Sequence, residues 1–140
     1  MHIALKAGER IFINGAVLRV DRKTSLELLN NAVFLLEAHV LQPQDTTTPL
    51  RQIYFVLQSM LMDPVAASHA RDLAEVLIAS TRKTFSNRDI VDGLGEVEVQ
   101  MAEDRLFDAL KTIRGLYPIE ALIMSGKVAD RARASETEAA

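Results

Sequence analysis

The stretch Gln42-Pro43-Gln44-Asp45-Thr46-Thr47-Thr48-Pro49 decides the fold, because the apolar pattern changes across it. Before it, short apolar runs alternate with turn residues: Ile3-Ala4-Leu5, Ile11-Phe12-Ile13, Val17-Leu18, Ser25–Leu29 and Val33–Leu36. After it, apolar residues return at three- and four-residue steps, the spacing of one helix face. The Thr-Thr-Thr-Pro run reads as a helix start. A Thr hydroxyl caps free amides, and Pro suits the first helical position, where its missing N–H has no partner to lose. The fold class is therefore α+β. A small antiparallel β module of about five strands spans residues 1–44, and a helical module of three to four helices spans 45–125. Residues 126–140 form a polar tail expected to be disordered.

Working back from the divide, Asn14-Gly15 is the sharpest local signal. Both residues tolerate the positive φ of a type I′ turn, so residues 11–13 and 16–20 form a hairpin. Ala7-Gly8-Glu9-Arg10 turns the chain between a first strand at 3–6 and the second. Asp21-Arg22-Lys23-Thr24 leads into a fourth strand at 25–29. Asn30-Asn31-Ala32 precedes a fifth at 33–36. The spacing predicts an antiparallel meander or small barrel.

Working forward, Leu50, Ile53, Tyr54, Leu57 and Leu61 mark the inner face of a first helix. Asp63-Pro64 ends it and starts a second, running to about Arg82–Lys83, with Ala66, Ala70, Leu73, Val76 or Leu77, and Ser80 turned inward. Ser86-Asn87 caps a third segment, which Gly93 and Gly95 interrupt. From Glu96 the spacing of Val99, Ala102, Leu106, Ala109 and Ile113 predicts a continuous helix. Acids lead it and bases trail, as the helix dipole favours, and Gly115 closes it. Tyr117-Pro118 opens a short last helix to about Met124.

The composition excludes several classes of function. The chain has no cysteine, so disulfides, zinc–thiolate sites and cysteine nucleophiles are absent. His2, His39 and His69 have no metal-ligand spacing. No phosphate-binding glycine loop or nucleophile motif is present, and Gly93-Leu94-Gly95 lacks the context of one. No catalytic set, cofactor or metal is expected, and the chain reads as a non-enzyme. With neither a signal sequence nor a long apolar span, the expected location is cytoplasmic.

Function is sought instead on surfaces. The net charge is −3, but residues 1–44 carry five bases against four acids, while residues 86–140 carry seven against eleven. In an antiparallel meander alternate turns share an end. Lys6, Arg10, Arg19, Arg22 and Lys23 would then form one basic rim suited to RNA phosphates. The alternative is that these charges protect strand edges. In the helical module, Arg51, Tyr54, Phe55 and Met62 are candidate partner-binding residues. Adjacent Tyr54 and Phe55 must face different sides of one helix, and Met side chains fill cores or adaptable grooves.

The blocks Leu5–Arg19, Ser25–Asn30 and, above all, Thr47-Thr48-Pro49-Leu50-Arg51-Gln52-Ile53-Tyr54-Phe55-Val56 continuing to Met60-Leu61-Met62-Asp63-Pro64 resemble the FlbT family of flagellin post-transcriptional regulators. The likeness covers about residues 3–125. It implies a bacterial protein that binds the 5′ untranslated region of flagellin mRNA and controls its translation or stability, usually as a repressor. It also implies partnership with FlaF and contact with flagellin. A homo-oligomer is left open. The alternative is a protein-interaction module that binds flagellin or FlaF and affects flagellin expression indirectly. A looser likeness joins Ala7-Gly8-Glu9-x-Ile11-x-Ile13 to the carbon storage regulator family. It selects Ile3–Lys6 and Leu36–Val40 as an RNA surface, but Glu37 stands where that family has a basic residue.

Overall fold

The computed structural model describes residues 1–126 apart from Asn31 and Val33. The tail predicted to be disordered lies outside the described residues, except for Gly126. Five strands come first: β1 (His2–Leu5), β2 (Arg10–Ile13), β3 (Ala16–Arg19), β4 (Thr24–Glu27) and β5 (Phe34–Leu36). Four helices follow: α1 (Pro49–Met62), α2 (Ala67–Thr84), α3 (Arg88–Ala102) and α4 (Leu106–Met124). This is the α+β order that the apolar pattern predicts.

The strands do not form the predicted meander. β1 pairs with β4, while β2 lies between β3 and β5, giving two small antiparallel sheets. The register shows why. His2 faces Glu27 and Leu5 faces Thr24; Arg10 faces Arg19 and Ile13 faces Ala16. One constant register runs through both pairs. The first four strands are therefore a single long hairpin around Asn14-Gly15, interrupted once on each arm and folded over there. Asn14 (φ 48°) and Gly15 (φ 85°) adopt the left-handed conformations that the predicted turn requires. β5 then joins β2 rather than extending beyond β4, because Ile13 pairs with Phe34 and Ile11 with Leu36. That register aligns apolar residues on a shared face.

Alternation divides the apolar residues of the ribbon between two cores. Ile3, Leu5, Ile11 and Ile13 turn inward with Leu26 and Phe34, and α4 contributes Phe107. The Phe34 and Phe107 rings lie 5.0 Å apart between centroids. Phe12 and Leu35 face the other way and pack into the helical core with Leu50, Ile53, Leu57, Ile78, Leu94 and Ile113. The β and helical parts are thus welded through Leu35 on one side and Phe107 on the other.

The helices depart from the sequence reading in three places. On α2, Ala74, Ile78 and Thr81 are buried, while Leu73 and Val76 are 50% and 65% exposed. This helix has two apolar stripes, and the one with small alanines faces α1, where it permits close approach. α3 runs without a break through Gly93 and Gly95, and the break falls instead at residues 103–105. There Asp104 takes φ 58°, and the Arg71 guanidinium bonds the Met101 carbonyl (2.8 Å) and the Asp104 carboxylate (2.7 Å). Val99 is consequently exposed, and Ile90, Leu94, Val97 and Met101 form the inner face. α4 continues through Gly115 and Pro118. Ile113 and Leu116 before the proline and Glu120 after it are all buried, and this packing holds the helix together where propensity would end it.

Gly93 is a contact rather than a break. A Cβ placed there would lie 2.7 Å from Cδ1 of Leu116. Gly93→Val, with its branched side chain wedged between α3 and α4, is expected to destabilise the fold by about 2 kcal/mol. Gly93→Ala also forces the buried Leu116 to shift, since both its methyls lie within 3 Å of the new Cβ, but its gain in helix propensity offsets part of this, so it should lose less, about 1 kcal/mol. Urea denaturation of the two variants measures the difference.

Candidate functional site

The fold in the long hairpin gathers the basic residues. Where the two arms leave the ladder, the Gly8 N–H donates to the Val20 carbonyl (2.7 Å) and the Val20 N–H donates to the Glu9 carbonyl (3.2 Å). The turn at residues 6–9 is closed by the Glu9 N–H on the Lys6 carbonyl (3.0 Å). It is closed again by the Lys6 N–H on the Glu9 carboxylate (2.8 Å). On the opposite arm the Thr24 hydroxyl donates to the Arg22 carbonyl (2.7 Å). These bonds hold the connection at residues 6–9 against that at 20–23. The two turns therefore do share an end, although the sheet is not a meander.

All five predicted bases are at or beside this corner, and all are exposed. Arg10 and Arg19 face each other directly across β2 and β3. Like charges in that position repel, and Glu37 partly offsets them. Its carboxylate accepts the Arg10 backbone N–H (2.7 Å) and lies 3.5 Å from the Arg10 guanidinium. Glu37 thus neutralises part of the rim. Arg22 is 3.7 Å from Asp21. Among the described residues Lys6, Arg19 and Lys23 make no ion pair.

The four partner-binding candidates do not form one surface. Tyr54 is only 1% exposed. Its hydroxyl donates to the His39 carbonyl (2.6 Å) and accepts from the Arg114 guanidinium (2.9 Å). It is an internal strut joining α1, α4 and the segment after β5, and it offers nothing to a partner. Burial raises the Tyr54 pKa against the opposing effect of Arg114. Burial, and then Arg114, lower that of His39. Arg51 lies over the Tyr117 ring at 4.4 Å, towards α4. Phe55 and Met62 instead face the other way. They line a groove of about 380 Å³ between α1 and β2, with Arg10, Phe12, Leu41 and Asp63.

Sequence reasoning missed how this groove is walled. The Gln58 side chain accepts from the Leu41 N–H (2.6 Å) and donates to the Leu41 carbonyl (2.8 Å). It clamps the irregular segment after β5 onto α1. The only trace of this in the sequence is a polar residue on an otherwise apolar helix face. Among the described residues no cluster of His, Asp and Glu could hold a metal, and no helix is long and apolar enough to cross a membrane.

Comparison with known proteins gives one consistent match. Residues 1–124 match the family described as Flagellar protein FlbT. A relative from Chelativorans sp. (strain BNC1), named "Probable flagellum biosynthesis repressor protein FlbT", is 52% identical over 88% of this chain and 85% of its own. A protein of the same name from Brucella anthropi is 53% identical over 89% of this chain and 82% of its own. One from Rhizobium johnstonii is 52% identical over 89% and 84%. No solved structure matches. The chain belongs to the FlbT family.

Proposed function

From that membership we propose that the chain is a cytoplasmic repressor of flagellar synthesis that acts after transcription, by binding the 5′ untranslated region of flagellin mRNA at the folded corner of the hairpin. The observation that carries the RNA contact is the juxtaposition of Arg10 and Arg19, with Lys6, Arg22 and Lys23 on the adjoining turns. An arginine pair held face to face gains most from an anion that bridges it, and a phosphate backbone supplies anions in series. The repressor role is the one named for the relatives. Only Phe12 and Phe34 are aromatic in the β part, and both are drawn into packing. Recognition therefore works through phosphates and base edges rather than through an aromatic stacking platform. FlaF and flagellin are the proposed protein partners, and their contacts fall on the helical half.

The test is direct binding of purified protein to a flagellin leader, with a coding-region RNA of equal length as control. The leader should bind more tightly. Its log affinity should fall with log salt at a slope near −3.5, about −0.7 for each of five phosphate contacts. Equal affinity for both RNAs, or a slope near zero, would defeat the proposal.

A further inference from the structure

We infer that the groove between β2 and α1 docks an extended segment of a partner protein, one that offers a large apolar side chain beside a carboxylate. Phe12, Leu41, Phe55 and Met62 give the groove an apolar floor, and its volume of about 380 Å³ lies within the range of sites that enclose ligand groups. Its wall is preformed, because Gln58 fixes Leu41 through both backbone groups, so little ordering is needed on binding. Methionine at its edge adapts to more than one side-chain shape.

The charges at the rim select the occupant. On the rim the Arg10 guanidinium points Nε at Glu37 (3.5 Å), which also accepts the Arg10 backbone N–H, and lies 6.0 Å from the centre of the Phe12 ring. Its two terminal nitrogens make no hydrogen bond or ion pair among the described residues, and its side chain is 48% exposed. They form a fork suited to a carboxylate. Asp63, at the carbonyl terminus of α1, also lines the groove, and both favour a cation. A segment that carries an apolar anchor with a basic and an acidic residue beside it matches these charges. A nucleic acid does not: it would set phosphates against Asp63 and the negative end of α1, over a floor that rewards aliphatic groups. The groove shares Arg10 with the proposed RNA corner, and the leader RNA arm of the test below separates the two.

The probe is a set of blocked tetrapeptides, Lys-Gly-X-Asp with X as Leu, Met, Phe or Trp, titrated into the full chain carrying labelled Met methyl groups. The Met62 signal is assigned by its loss in Met62→Leu. At least one peptide should shift that signal and saturate by about 1 mM. Replacing Asp by Asn in the peptide should weaken binding roughly tenfold, and Arg10→Gln should abolish that difference. Met62→Lys, checked for an unchanged unfolding midpoint, should prevent binding. The inference fails if none of the four peptides moves the Met62 signal. It fails equally if peptides with X as Ser move it as much, or if leader RNA moves it and the peptides do not.

Discussion

Replacing Lys6, Arg19 and Lys23 together by Glu is expected to cut leader RNA affinity at low salt by on the order of 100-fold or more, and to bring the salt slope from about −3.5 to about −1.4. Of the five corner bases, these three make no ion pair among the described residues. Their charge is thus the most available to phosphate, whereas Arg10 and Arg22 are partly engaged by Glu37 and Asp21. The same substitutions should not harm the fold. Arg19→Glu places a carboxylate directly opposite Arg10, turning a repulsive cross-strand pair into an attractive one worth about 0.5 kcal/mol. Edge protection would give a different result: charge of either sign keeps an edge soluble, and RNA affinity would not follow it. Gel-shift titrations across salt, paired with denaturation of the same variants, separate the two. A stable triple variant that still binds the leader with wild-type affinity and slope would remove the corner from the RNA interface. A gain in stability together with a loss of affinity is the signature of a site kept for binding at some expense to folding.

What the sequence makes legible is what short-range chemistry fixes. Asn14-Gly15 dictates its own turn, since few other pairs accept two successive positive φ values. Thr48 and Asn87 cap α1 and α3 as their types suggest, accepting from the N–H groups of Arg51 (3.2 Å) and Ile90 (3.2 Å). Long-range packing overturned the local signals at the helix breaks. Gly93 and Pro118 are breakers by propensity, yet one is needed for the approach of Leu116 and the other is spanned by buried neighbours. The actual break is made by Asp104 with Arg71, from a different helix. The basic cluster was foreseen, but for an incomplete reason: the turns meet because one hairpin folds on itself, not because a meander alternates. The partner surface was only half legible. Helical spacing places Tyr54 and Phe55 on different sides of α1. It does not say that Phe55 and Met62 would meet Arg10 from the β module.

Glu120→Ala is expected to cost about 3 kcal/mol, and to lower the melting temperature by roughly 10 °C in a chain of this length. The reason lies in a full account of the first turn of α1. Pro49 has no N–H to satisfy. The Arg51 N–H goes to the Thr48 hydroxyl, and the Gln52 N–H begins the regular helix on the Thr48 carbonyl (2.9 Å). The Leu50 N–H remains, and its acceptor comes from α4: the Glu120 carboxylate at 3.0 Å, in a side chain 1% exposed. A carboxylate there also faces the positive end of the helix dipole. Alanine would leave a buried donor unpaired, open a cavity between α1 and α4 and remove that charge. Each of these is a recognised source of large losses. Gln keeps an acceptor and the volume, so it should cost about 1 kcal/mol. Thr48→Ala should likewise cost about 1 kcal/mol, as the loss of an N-cap. Because both groups serve the same helix end, the double variant should lose less than the sum of the single losses. Equilibrium denaturation of the four proteins gives the cycle. A Glu120→Ala loss below about 0.5 kcal/mol would mean that the helix start is held by packing alone. A strictly additive cycle would mean that Thr48 and Glu120 act separately. The expected coupling has a consequence for the groove. α1 is the element that carries Phe55 and Met62, and Gln58 clamps its wall from the same helix. Loosening its first turn should therefore weaken peptide docking at the far end, while phosphate binding at the hairpin corner stays as it was.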